Sequence, residues 1–238
     1  MNQRVLTPEQ IEENKQAFLS LLTYIERPGA KIEELKQKLE NSDFFYAPAS
    51  GSYHNAVEGG LCDHCLNVYE RLLDLINTVY PPTNAILKNE ETGEETLTTV
   101  NTCPYSKETL IIVALFHDMS KMNYYEKSIR NKKVYSLELG DKQDNLGRYY
   151  WESVPGYATK EHTDRFVFGT HGQTSEYMIN CFIPLTLEEK VAIINHMGGF
   201  DNDSARGSNL SEIYNHYPLA TLLHTADMLA TFINERIY

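Results

Sequence analysis

The apolar run Leu110-Ile111-Ile112-Val113-Ala114-Leu115-Phe116 leads directly into His117-Asp118, and this junction constrains the fold more than any other feature of the chain. A segment that is apolar on every side is a buried helix, and here it delivers an imidazole and a carboxylate into the interior. Burying an ionised carboxylate costs on the order of several kcal/mol unless a cation or a full set of donors compensates it. Whatever the chain folds into must bring a partner to this pair.

With 238 residues, 42% of them apolar, the chain can bury a large core and reads as one globular domain over 1–238. Its apolar runs fall short of the roughly 18 residues of a membrane span. No apolar signal region follows Met1-Asn2-Gln3-Arg4, so the expectation is a cytoplasmic protein without membrane association. Cys62, Cys65, Cys103 and Cys181 fit a reduced compartment. In Cys62-Asp63-His64-Cys65 the cysteines read as buried rather than as a thiolate zinc site, because no second pair follows. The 33 acidic against 21 basic residues give a net charge of -12, which repels a long nucleic acid. A small phosphorylated ligand remains compatible, since one metal site overcomes a diffuse field locally.

Helical signals dominate. Thr7-Pro8-Glu9-Gln10 combines an N-cap, a first-turn proline and a capping-box glutamine before the stripe Ile11, Phe18, Leu22 and Ile25. A second helix is expected over Lys31 to Glu40, then a loop anchored by Phe44, Phe45 and Tyr46. A longer helix runs from about Glu58 to Tyr80 with Leu61, Cys65, Val68, Leu72 and Ile76 on one face, stopped by Pro81-Pro82. Ser106 caps the buried helix, expected to end near Lys121. The acidic, Thr-rich stretch 90–99 receives no assignment. Between 122 and 163 the alternation of Tyr135, Leu137 and Leu139 with polar residues predicts a β-hairpin insert. Capping boxes at Thr170/Gln173 and Thr186/Glu189 open two further helices, the second ended by Gly198-Gly199, and a last helix spans about Tyr217 to Ile237. The fold class is mainly α.

Several polar residues fall on stripes that should face inward. His64 lies between Leu61 and Val68, Asp227 between Leu223 and Ala230, His171 shares a face with Ser175 and Met178, and His196 closes the helix of Leu187, Val191 and Ile194. Five helices thus have the means to aim ligands at one centre.

The ordered set His64, His117-Asp118 and Asp227 resembles the signature of the HD-domain metal-dependent phosphohydrolases. The likeness extends to the segment from Tyr53 to Leu61, to Lys121 three residues after the Asp, and to His224-Thr225-Ala226-Asp227, and it runs from Ser52 to Phe232. The segment 53–61 and the stretches Gly169-Thr170-His171-Gly172 and His196-Met197-Gly198-Gly199 look most like the HD module of 3′-5′ exoribonucleases. An HD-type helical bundle is the fold this implies. The N-terminal extension, 1–51, and the insert, 122–163, lie outside the shared pattern and are expected to set specificity.

Carried over residue by residue, the resemblance implies one ion held by His64, His117, Asp118 and Asp227. His171 and His196 match the histidines of the two-metal branch, with Asp118 as the bridge. Two ions about 3.5 to 4 Å apart lower the pKa of a bridging water, and hydroxide then attacks phosphorus. A mixed imidazole and carboxylate set suits divalent Mn, Fe, Co, Ni or Zn. Lys121 reads either as a contact to a phosphate oxygen or as a solvated cation at a helix end. His54 reads as a substrate or water contact or as a packing residue, and His224 as a support for a ligand, a phosphate contact or a core histidine. Arg206 is a candidate phosphate clamp, and Trp151 a candidate stacking surface within an aromatic-rich insert. Cross-strand pairing of those aromatics is the commoner explanation.

The expectation is a metal-dependent phosphohydrolase, either a phosphodiesterase or a nucleotidase, acting on a small nucleotide or short oligonucleotide. The alternatives are a metal-stabilised nucleotide-binding or regulatory module without turnover, and a di-iron oxygenase.

Overall fold

A computed structural model describes residues 5–88, 92–200 and 209–235 of the chain, which form mainly α-helix with two small antiparallel sheets. Helix α1, Pro8–Leu21, starts at a complete capping box in which Thr7 and Gln10 each bond the other's backbone N–H. Helix α2, Ile32–Glu40, presents Leu35 and Leu39 to the core. The loop after it buries Phe44 and Phe45, which meet Phe18 edge-on at 5.1 and 5.7 Å, while the Tyr46 side chain is exposed and only its backbone carbonyl, accepting from Gly59 N–H, ties it to the start of α3.

Helix α3, Gly60–Val79, buries the predicted stripe. Its first residue must be glycine, because a Cβ there would stand 2.1 Å from the carbonyl oxygen of Asn55. That close approach ties the loop carrying His54 to the start of α3. Helix α4, Lys107–Phe116, is capped by the Ser106 hydroxyl and fully buried from Leu110 to Phe116. It stops at Phe116, short of the expected end near Lys121, and a single 3₁₀ turn, Met119–Lys121, follows. Between α3 and α4 a hairpin pairs β1, Thr83–Lys88, with β2, Glu95–Val100, in register from Thr83↔Val100 to Lys88↔Glu95; β2 takes up the second half of the unassigned stretch 90–99, of which 90 and 91 lie outside the described residues.

The insert is a three-stranded sheet rather than a simple hairpin. Long strands β3, Tyr125–Tyr135, and β5, Gly147–Thr159, pair antiparallel, and the short β4, Lys142–Asp144, adds to the outer side of β5. Helices α5, His171–Asn180, and α6, Leu187–Ile194, both open with the expected capping boxes. Helix α6 ends at Ile194, ahead of Gly198-Gly199, which begins a separate 3₁₀ turn. Helix α7, Leu210–His216, was not anticipated, and His216 is its last residue. The final helix is shorter than expected: α8, Pro218–Leu229, passes into a π-helical turn, Ala230–Asn234.

Helix α3 packs against α1, α4 and α8, with α5 and α6 completing the layer around α4. One apolar cluster joins these helices, so the ends of α4 and α6 and the middle of α8 meet at its edge. No helix among the described residues is long and apolar enough to cross a membrane.

Candidate metal centre

The local chemistry of two helix ends builds half of the centre. His117, the first residue beyond α4, turns its Nδ1 back to the carbonyl oxygen of Ala114 at 2.8 Å. His196, two residues beyond α6, makes the equivalent bond to Ile193 at 2.7 Å. Each ring thereby caps an orphan carbonyl of its own helix. A nitrogen that donates to a carbonyl carries the proton, so a neutral ring presents its Nε2 as a bare lone pair. The expectation of five helices aiming ligands is therefore refined. Only His64, His171 and Asp227 lie within helices, and the other ligand candidates follow helix ends.

The Nε2 atoms of His64 and His117 stand 3.2 Å apart, and those of His171 and His196 stand 2.9 Å apart. Asp118 lies between the pairs. Its Oδ2 is 3.5 Å from His64 and 3.4 Å from His117, and its Oδ1 is 3.5 Å from both His171 and His196. Asp227 Oδ1 is 3.3 Å from His64 Nε2, and its carboxylate also groups within 4.8 Å of His117 and His196.

This donor set fits a metal. Ligand atoms that share a first-row ion at about 2.1 Å stand about 3.0 to 3.4 Å from one another, close to the separations found here. The Nε2 lone pairs of His117 and His196 each face another ring nitrogen at such a distance, a contact that needs a proton or a metal ion between the two nitrogens. Asp118 Oδ1 is moreover buried without a hydrogen-bond partner, a costly state for a carboxylate oxygen. The sequence-predicted residues His64, His117, Asp118, His171, His196 and Asp227 thus come together in overlapping triads at metal-binding distance, all buried except the half-buried His171.

Electrostatics point the same way. Burial alone would raise the Asp118 carboxyl, but Lys121 and His117 hold it well below the usual carboxylate range. Asp227, likewise desolvated, is kept ionised by His64. Burial would lower His64, yet the carboxylates of Glu235 and Asp227 raise it to about 10, so in the metal-free site a proton on His64 supplies the missing positive charge. Lys121 bonds Asp118 Oδ2 at 2.6 Å and stays charged despite its burial.

Glu235 was missed by sequence reasoning. Its Oε1 lies 2.8 Å from His64 Nδ1 and 3.2 Å from Asn67 Nδ2, so it fixes the ring whose Nε2 faces the cluster. The π-helical turn shifts the register that carries it there. Its only trace in the sequence is one acid within Thr231-Phe232-Ile233-Asn234-Glu235, which reads equally well as solvated.

The remaining candidates divide. The His54 ring lies 4.8 Å from that of His64; burial lowers it to about 3, so it is neutral, and its buried Nε2 has no partner. His224 Nδ1 bonds the carbonyl oxygen of His196 at 2.6 Å and its ring stacks on Tyr214, a position that supports the loop carrying His196. Trp151 is not among the residues that line the cleft opening on the centre: its ring meets Tyr149 of the same strand edge-on, with Lys133 across the sheet over it, while the cross-strand aromatic pair of the insert is Tyr135 and Tyr149. Arg206 lies outside the described residues. Cys62 and Cys65 are buried, and desolvation pushes both thiols up, away from a metal-binding thiolate.

The cleft has a volume of about 1150 Å³. Asp118, Lys121, Asp227 and Glu235 form its floor, the insert forms one wall, and the loop around His54 forms another. Exposed rings of Tyr53, Phe200 and Phe232 line it where Trp151 does not. Comparison with family models, with curated proteins and with solved structures finds no match for this chain.

Proposed function

We propose that this chain is an HD-type, metal-dependent phosphohydrolase that cleaves a phosphoester or phosphoanhydride bond of a nucleotide or short oligonucleotide, in the cytoplasm. The observation that carries the reading is Asp118, whose two carboxylate oxygens each face two imidazole nitrogens from opposite sides. Two ions would be held by His64, His117 and Asp227 on one side and by His171 and His196 on the other, with one Asp118 oxygen facing each set. Bound there, two divalent ions of the Mn, Fe, Co, Ni or Zn class acidify water and offset the charge that develops on phosphorus oxygens.

The chain's own residues divide the remaining work. Glu235 and the carbonyl oxygens of Ala114 and Ile193 set the orientation of His64, His117 and His196. Lys121 uses one ammonium proton on Asp118 and keeps two for a nonbridging phosphate oxygen. Neutral His54 offers an uncommitted ring nitrogen at the cleft. Tyr53, Phe200 and Phe232 present apolar surface on which a base can stack. The cleft volume of about 1150 Å³ accommodates more than a mononucleotide, while the net charge of -12 disfavours a long polymer.

The test is phosphate or nucleotide release from mononucleotides, cyclic nucleotides, dinucleotides and short RNA with Mn, Co, Ni, Fe or Mg added. Turnover that needs metal and vanishes in Asp118→Asn is the expected result. A metal-loaded protein without turnover would sink the hydrolase reading in favour of a binding module, and oxygen consumption by the iron-loaded protein would favour an oxygenase.

A further inference from the structure

Arg130 projects from β3 into the cleft wall, and among the described residues its side chain makes no hydrogen bond or ion pair. Other arginines of the chain are committed: Arg27 to Glu189, Arg71 to Asp74, Arg148 to the Gly140 carbonyl and Arg165 to the Tyr124 hydroxyl. In a chain with 33 acidic residues, a half-buried arginine whose guanidinium has no protein partner is the exception among the described arginines.

The backbone also makes room for it. A Cβ at Gly156, across the sheet on β5, would stand 2.9 Å from Arg130 Cδ and 3.1 Å from its Cγ, so the aliphatic stem fills the space of the absent side chain. A Cβ at Gly51 would stand 3.7 Å from Arg130 Nη2 and 3.5 Å from the Tyr125 ring. Gly156 thus makes room for the stem, and the guanidinium ends near Gly51 and Tyr125, the latter close enough to Lys121 and Asp118 to feel their charges. The guanidinium shares a cleft with the candidate metal centre while having no bond to it.

A guanidinium with free N–H groups binds a phosphate through two parallel, charge-assisted hydrogen bonds. We infer that Arg130 is a substrate-binding residue that holds a second phosphate group of the ligand, distinct from the one at Asp118, so that nucleotides with two separated phosphates are preferred. This rests on the reading of the cleft as a nucleotide site and adds the class of nucleotide it selects. The insert then acts as a gauge of ligand length, with Gly156 as the residue that seats the gauge.

The test titrates the full-length chain, loaded with Mn, with adenosine 3′,5′-bisphosphate and with AMP, checking ligand integrity by chromatography; if the ligands are consumed, KM reads the same ratio. The bisphosphate is expected to bind about tenfold or more tightly than AMP, the worth of a charged hydrogen-bond pair. Arg130→Gln should erase that preference without changing AMP affinity or metal content, and Gly156→Ala should weaken it by displacing the stem while keeping the charge. Equal binding of the two ligands, failure of both to bind, or a preference that survives Arg130→Gln would overturn the inference. The hydrolase reading fails separately, when none of the mononucleotides, cyclic nucleotides, dinucleotides and short RNAs is turned over yet the Arg130-dependent preference remains.

Discussion

Asp118 and Glu235 reach His64 from opposite sides, the one facing Nε2 and the other holding Nδ1, and their substitutions should fail differently. Glu235→Gln is expected to weaken metal binding about 10- to 100-fold while leaving turnover per loaded centre near its original value. Lys121→Ala should keep the metal and lose rate, by about a hundredfold or more if the ammonium serves the transition state; metal content and kcat measured on the same samples separate the two. His64 gives a second prediction. Its folded, metal-free value of about 10 lies above the ordinary 6.5, so its proton stabilises the fold fully below pH about 6.5, and that contribution disappears as pH rises through about 10. A metal must displace this proton, so binding at neutral pH should release protons and tighten as pH rises across that window. Calorimetry in buffers of different ionisation enthalpy reads the release, and a pH-independent affinity would contradict it. His64 and Asp227 were legible because each sits on an apolar stripe, where an unpaired polar group is out of place. Glu235 was not, because a π-helical turn moves it off the face that regular helical periodicity assigns.

Among the elements, the N-terminal extension is fastened by one buried fork. Arg27 bonds both oxygens of Glu189 on α6 at 2.7 Å, lies 3.3 Å from Glu108 on α4, and donates to the Pro184 carbonyl. Arg27→Ala would leave Glu189 buried and uncompensated, so a loss of about 3 to 5 kcal/mol is expected in chemical denaturation. Burial would raise the Glu189 carboxyl, but Arg27 brings it below 4.5. Its contribution is thus present above pH about 4.5 and lost as pH falls through the depressed value. Acid unfolding of Arg27→Ala should accordingly lack that component. The three capping boxes were readable because each occupies four consecutive residues whose bonds are local. The end of α4 was not, because His117 stops the helix by taking the Ala114 carbonyl, and nothing in the neighbouring sequence marks that choice. The hairpin β1–β2 escaped assignment because Ile86 and Leu97, directly paired, are both exposed and leave no buried face to set a pattern.

For the whole molecule, the candidate centre joins α3, α5 and α8 with the ends of α4 and α6, so a metal bound there would couple its occupancy to global stability. Chelation should lower the melting temperature, and restoring metal at about a thousand times its dissociation constant should return about 4 kcal/mol. An unchanged melting curve would mean that the cluster is held by its protein bonds alone. The convergence of these elements could be foreseen from the apolar stripes that carry their polar residues. The shape of the cleft could not, since its wall is a three-stranded sheet whose position depends on contacts far apart in sequence. The bond between Glu235 and His64 spans 171 residues. At synthesis rates of about 5 to 20 residues per second, His64 is made about 10 to 30 s before its partner exists. For a chain that takes up metal, the nascent protein would during that interval carry an incomplete set of imidazoles, and translation itself would decide when the full set of donors can compete for an ion.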